Sequence, residues 1–260
     1  MENSKGLLTV FNVFNDKDSF IEEINTGQSA KRMASQLLVI CIFAFFYGVV
    51  MGSYHSFLQS LVAGVKVVLL YLTTILICFP SFYIIQQILG SRMSIKQMAS
   101  IVLGGLVVTT TINLSFVPVL LFFQLTGGNY HFLQLLHVAI FIFGGVFGLR
   151  LMLESLKVTY EKNSVYPQIG VNVFKIWIII LAFVGMQLSW NLRPFLCNKD
   201  EEFKLFRKYE GNFYTAVVYS FDQLINHPNE ISKDTLSPIY NSNIGPEAIL
   251  DTTYSTKLKP

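Results

Sequence analysis

Few residues in this 260-residue chain have both the type and the placement to do chemistry. Lys66, Asn113 and His137 stand deepest within long apolar runs. A strongly polar group in such surroundings is a functional candidate by default, because a membrane-like interior makes it costly to keep. Lys66 could contact an anion or headgroup, pair helices through its charge, or extend its ammonium to the nearer interface; the last needs no ligand. Thr109-Thr110-Thr111 with Asn113, and Gln86-Gln87, could line a polar path. Hydrogen bonds between helices, at about 0.6–2 kcal/mol each, account for them without a substrate. His55, His131 and His137 fall near one side of the expected topology, and three histidines can hold a metal. No two share the i, i+4 spacing of ligands on one helix face, so interfacial or hydrogen-bonded histidines are expected.

The absences narrow the chemistry further. Between Glu23 and Glu154 there is no acidic residue, which weighs against proton-coupled or metal-ion transport and against paired-carboxylate hydrolysis. No G-x-S-x-G, H-E-x-x-H, Walker loop or dinucleotide fingerprint occurs. Ser81, after Phe79-Pro80, has no acid or base plausibly paired with it. Cys41, Cys78 and Cys197 have no metal-site spacing. The net charge of +3 is spread along the chain, which gives no case for nucleic acid. No catalytic set, cofactor site or metal site is expected. A lipid-modifying enzyme built on His55 or His137 is the least favoured reading.

These residues need elements to hold them, and composition says what kind. Hydrophobic residues make up 52% and charged residues 13% of the chain, about half the charge usual in a soluble domain. The expected fold is all-α: a polytopic transmembrane helical bundle of about five spans, with short amphipathic helices at both ends. Apolar runs of about 20 residues or more place the spans near 36–53, 61–89, 99–125, 132–153 and 171–190. Residues 1–33 form a cytoplasmic segment whose 7–24 stretch suits an amphipathic surface helix, and 34–191 form the bundle. The 192–226 segment is interfacial, and Phe213, Val217, Phe221 and Leu224 recur at helical spacing within it. Residues 227–260, rich in Pro, Asn, Ser and Thr, read as a loosely ordered tail.

Lys31, Arg32, Arg92, Lys96, Arg150, Lys157 and Lys162 fall on one side of these spans, and the two short loops on the other side hold no base. The positive-inside rule puts the N-terminus in the cytoplasm. Five spans then place the tail outside, against the bases Arg193, Lys199, Lys204, Arg207 and Lys208 that follow the fifth; either the four earlier helices fix the topology or the fifth segment does not fully cross. That tail begins Trp190-Asn191-Leu192-Arg193-Pro194-Phe195 and continues through Phe206-Arg207 to Phe213-Tyr214. Aromatics interleaved with bases suit a membrane interface, either as an anchoring girdle or as a docking surface packed back on the outer loops. Arg193, Phe195, Phe206, Arg207, Phe213 and Tyr214 are the candidate contact residues. Gly104-Gly105 and Gly144-Gly145 with Gly148 are small-residue patches that allow helices to approach closely.

The runs Leu76-Ile77-Cys78-Phe79-Pro80-Ser81-Phe82-Tyr83 followed by Leu89-Gly90-Ser91-Arg92, and Leu192-Arg193-Pro194-Phe195 followed by Phe206-Arg207 and Glu210-Gly211-Asn212-Phe213, resemble a group of uncharacterised bacterial multi-pass membrane proteins. That resemblance implies a bacterial inner-membrane location and no particular activity. At the level of topology the chain is also similar to the Yip1 class of membrane-trafficking proteins. The expected role is a non-enzymatic scaffold or accessory subunit of a membrane complex, with the lipid bilayer and a membrane-complex protein or a second copy as partners. An oligomeric channel, flippase or small-solute transporter using Lys66, the threonines and Asn113 is the alternative.

Overall fold

The computed structural model describes residues 29–90, 93–127, 129–162, 168–196 and 213–226. Among them are seven helices and no strand: α1 (Ser29–Gly52), α2 (Phe57–Ile88), α3 (Ile95–Ser115), α4 (Val117–Leu125), α5 (Tyr130–Lys162), α6 (Gln168–Leu192) and α7 (Phe213–Asn226). Five stretches are long and apolar enough to cross a bilayer: Arg32–Gly52, Phe57–Ile88, Ile95–Leu125, Tyr130–Thr159 and Gly170–Leu192. The chain is thus a polytopic helical bundle. In hydrocarbon every backbone polar group must be satisfied within the protein, and continuous helices do this. The N-terminal 7–24 stretch, Phe206, Arg207 and the 227–260 tail lie outside the described residues.

Local sequence sets the helix ends. The Ser56 hydroxyl accepts from the Gln59 amide and starts α2. Ser94 and Gln97 form a reciprocal capping box at the start of α3. Gly90 has φ +82°, a left-handed conformation that glycine adopts without a Cβ clash, and it turns the chain out of α2. The third span is two helices rather than one, because Pro118 lacks an N–H and the chain breaks at Phe116 before α4 begins. Pro80, by contrast, sits within an unbroken α2. The fourth span's helix runs on to Lys162, past the expected end near 153, because Leu156 and Thr159 extend its buried stripe. The second helix starts at Phe57, four positions before the expected 61, because its cap lies at Ser56.

Helix α1 packs on α2 and α3, α3 on α5, α2 on α6, and α5 on α6, which closes a ring. One end of the bundle, called upper here, holds the turn between α1 and α2, the turn before α5 and the chain leaving α6. The lower end holds the start of α1 and the turn between α2 and α3. Lipid offers helices no hydrophobic reason to associate, so close packing and polar contacts must hold them. Gly48 and Gly52 lie against Ala63, Gly64 and Ser60, where an added Cβ on Gly48 would be 2.7 Å from the Ala63 carbonyl oxygen. Gly105 and Gly148 let α3 and α5 meet in the same way.

Apolar side chains fill the lower half: Phe82 stacks on Trp177 with centroids 4.5 Å apart, beside Phe174, Met98, Met152 and Leu156. The Trp177 indole N–H donates to the Cys78 carbonyl at 3.0 Å. Val39, Ile40, Ala44, Val67, Leu103 and Val107 fill the middle, and Tyr47, Leu120 and Ile140 the upper part. Large side chains such as Leu76, Ile142 and Ile179 stand more than 60% exposed on the outer faces, as lipid contact requires.

Candidate functional site

Two polar clusters emerge where the helices meet, one within the upper half of the bundle and one around the chain that leaves α6. In the first, the Tyr47 hydroxyl on α1 lies 2.8 Å from Nδ1 of His137 on α5. Both residues are 1% exposed. Nearby, Asn113 on α3 ties three helices: its carbonyl oxygen accepts from the Tyr71 hydroxyl at 2.9 Å, and its amide donates to the Thr109 and Ile140 carbonyls at 3.2 and 3.3 Å. Phe141 bridges the two groups, with its ring 5.4 Å from Tyr47 and 6.3 Å from Tyr71. Asn113 and His137 are thus brought into one neighbourhood, while Lys66 belongs to the second cluster.

The threonine run does not extend this cluster. Thr109, Thr110 and Thr111 donate to the Gly105, Leu106 and Val107 carbonyls of their own helix, at 3.0, 3.0 and 2.7 Å. A mid-helix threonine with no nearer acceptor returns its proton to the i−4 carbonyl. The Gln86 amide does link helices, reaching the Gly170 carbonyl at 3.1 Å. Gln36 does likewise, donating to the Ser100 carbonyl at 3.3 Å.

The Nε2 atom of His137 is buried without a hydrogen-bond partner among the described residues. Removing Tyr47's hydroxyl would leave both ring nitrogens in that state. Tyr47→Phe is therefore expected to cost about 1–3 kcal/mol, whereas Tyr47→Phe with His137→Leu removes both partners and restores most of it. Denaturant titration of the two singles and the double checks this. Strictly additive losses would contradict the pairing.

The second cluster forms around Lys66. Side chains on a helix tilt toward its N-terminus, so Lys66 reaches toward the upper end. It meets protein rather than water there: it is 4% exposed, and its Nζ donates to the Pro194 carbonyl at 3.2 Å. Gln59, two turns earlier, donates Nε2 to the same carbonyl at 3.1 Å and to the Phe195 carbonyl at 3.5 Å. The expected extension of Lys66 to the interface is replaced by this internal contact. Lys175 on α6 remains exposed.

Pro194 and Leu196 are buried, and the Phe195 ring packs on the Val39, Ile40 and Val67 cluster. The Arg193 guanidinium lies 3.4 Å from the Trp190 ring centroid, a cation–π contact. Arg193 and Phe195, read as contact residues, are therefore engaged within the chain itself.

Helix α7 docks on α5 by polar contacts. His131 Nδ1 lies 3.4 Å from the Ser220 hydroxyl, which donates to Gln134 Oε1 at 3.2 Å. The Ser220 hydroxyl thus links α7 to two side chains of α5. Ser220 is 2% exposed whereas Phe221 is 59% exposed. The helical spacing marks α7 as amphipathic, and the polar partners on α5 select Ser220 for its inward face. Phe213 is half-buried, and Tyr214 is 50% exposed.

His55 bonds to Ser56 at 3.0 Å, so the three histidines have three separate partners. Among the described residues no group of three His, Cys, Asp or Glu side chains could hold a metal ion. No protein-family model matches the sequence, and no curated protein or solved structure shows significant similarity to it.

Proposed function

We propose that this protein is a non-enzymatic scaffold or accessory subunit of a complex in a bacterial inner membrane. Its N-terminus lies in the cytoplasm, and the upper end of the bundle faces outward. The distribution of bases supports that orientation: Arg32, Lys96, Arg150 and Lys157 all sit toward the lower end.

One observation carries the reading. Two side chains of α2, 0% and 4% exposed, hold the chain that leaves the last span, and α7 is then fixed on α5 through Ser220. A trailing tail needs no such fastening; a surface that must be presented in one position does. The filled interior adds weight. Tyr47, Phe82, Phe174, Met98, Leu120 and Leu133 are all under 2% exposed, and the threonine run spends its hydroxyl protons on its own helix. The upper surface is the platform on which a membrane-complex protein docks.

Affinity purification from native membranes in mild detergent tests this, comparing the full chain, Arg193→Ala and a truncation after Asn191. The expected result is one specific protein recovered with the full chain, several-fold less with Arg193→Ala, and none with the truncation. A homogeneous self-oligomer equal in all three would overturn the scaffold and make flux measurements the next step.

A further inference from the structure

Helix α7 has a second face that no described residue of the bundle covers. Tyr214, Val218, Phe221 and Ile225 are 50%, 67%, 59% and 60% exposed. Their spacing of i, i+4, i+7 and i+11 aligns them in one stripe along the helix. Four large apolar side chains in a row on a 14-residue helix are more than scattered surface hydrophobics.

The position of α7 identifies what meets that stripe. Its buried Ser220 contacts His131 and Gln134, in the first two turns of α5, and the apolar stretch of that span begins at Tyr130. The middle of α7 therefore lies at the level where α5 enters the membrane. It also touches α6. Tyr130 and Tyr219 both pack their rings on His131, as the aromatic residues of a membrane interface do.

A protein helix would fit the stripe poorly. The α1–α2 and α3–α5 contacts of this bundle are made at small residues, Gly48, Gly52, Gly64, Gly105, Gly144 and Gly148, whereas the stripe has none. Nor does charge draw α7 to a surface, since its one ionisable acid or base is Asp222. Apolar area is what the helix offers. We infer that α7 is an interfacial helix whose Tyr214–Val218–Phe221–Ile225 stripe is immersed in the acyl chains of the leaflet at the upper end, independently of whether a protein partner docks there. Immersion would make α7 an anchor that holds the platform at a fixed depth.

Site-specific photocrosslinking in the full chain, in native membranes, tests the assignment. A photoreactive phenylalanine analogue would replace Val218 or Phe221 in turn. Ile142, 63% exposed on the outer face of α5, serves as the lipid-facing reference, and Thr126, in the exposed turn before α5, as the water-facing one. Phospholipid adducts at 218 and 221 are expected within about threefold of the yield at 142 and at least roughly tenfold above that at 126. Crosslinks to a second copy or to another protein would overturn the inference, and so would yields no higher than at 126. Either failure would leave the scaffold reading standing, because that rests on the Pro194 contacts.

Discussion

Replacing Gly148 by leucine is expected to lower the thermal midpoint of the detergent-solubilised protein by about 5–10 °C, while leucine at Gly145 leaves it within about 2 °C. The two glycines are three positions apart on one helix, yet their surroundings are opposite. A Cβ on Gly148 would fall closer than van der Waals contact to the Gly105 carbonyl oxygen and the Thr109 hydroxyl. Neither can give way cheaply: the first is backbone, and the second is hydrogen-bonded to that same carbonyl at 3.0 Å. A Cβ on Gly145 meets nothing within 4 Å. Leucine favours a helix over glycine by about 1 kcal/mol at either position, so propensity cannot produce a difference between them. The contact must.

Pushing α5 away from α3 would also stretch the Asn113 contact to Ile140 and the Tyr47 contact to His137, which converge on the same stretch of α5. A combined loss of about 3 kcal/mol follows from overpacking of this kind. Thermal scans read by fluorescence-detected gel filtration would show it. Equal midpoints for the two variants would mean that the α3–α5 crossing is not where this bundle is held.

The sequence marks Gly144, Gly145 and Gly148 as one patch, but only the rotation of α5 separates the lipid-facing glycine from the two that touch α3. Gly48 and Gly52, four apart in an apolar run, carried the same signal and escaped notice beside the louder paired glycines. Span number was legible because the requirement for about 20 apolar residues is set by the bilayer and not by packing. Pro118 inside the third run was legible as well, though not whether it would break the helix, as it does, or leave it whole, as Pro80 does.

The partners of Lys66 were not legible at all. Pro194 stands 128 residues away, and a carbonyl acceptor leaves no trace in side-chain identity. For α7 the helix was legible and its inward face was not. Its apolar periodicity marks an amphipathic helix but does not say which face meets protein, and two polar groups on α5 decided that Ser220 faces inward.

The Pro194 contact gives the second large effect. Combining Gln59→Leu with Lys66→Met is expected to release the Pro194–Leu196 turn from α2 and to raise hydrogen exchange at the Phe195 and Leu196 amides by roughly five- to hundredfold, with a much smaller rise in either single variant. The carbonyl of Pro194 accepts from Lys66 at 3.2 Å and from Gln59 at 3.1 Å, so each single variant leaves it one donor. The double leaves a buried acceptor with neither. That state costs about 1–3 kcal/mol, and each 1.4 kcal/mol is a factor of ten in the open population. The bundle itself should remain assembled, since the interior packing of α2 on α1 and α6 involves Gly64, Phe82 and Trp177 rather than these two side chains. Partner recovery should then fall in the double variant although no proposed docking residue has been touched, a result that simple loss of a contact side chain cannot imitate. Exchange at the wild-type rate would show that packing of Phe195 on Val39, Ile40 and Val67 holds the turn unaided. Gln59 and Lys66 would then be buried for some purpose other than fastening it, and the platform would lose its main support.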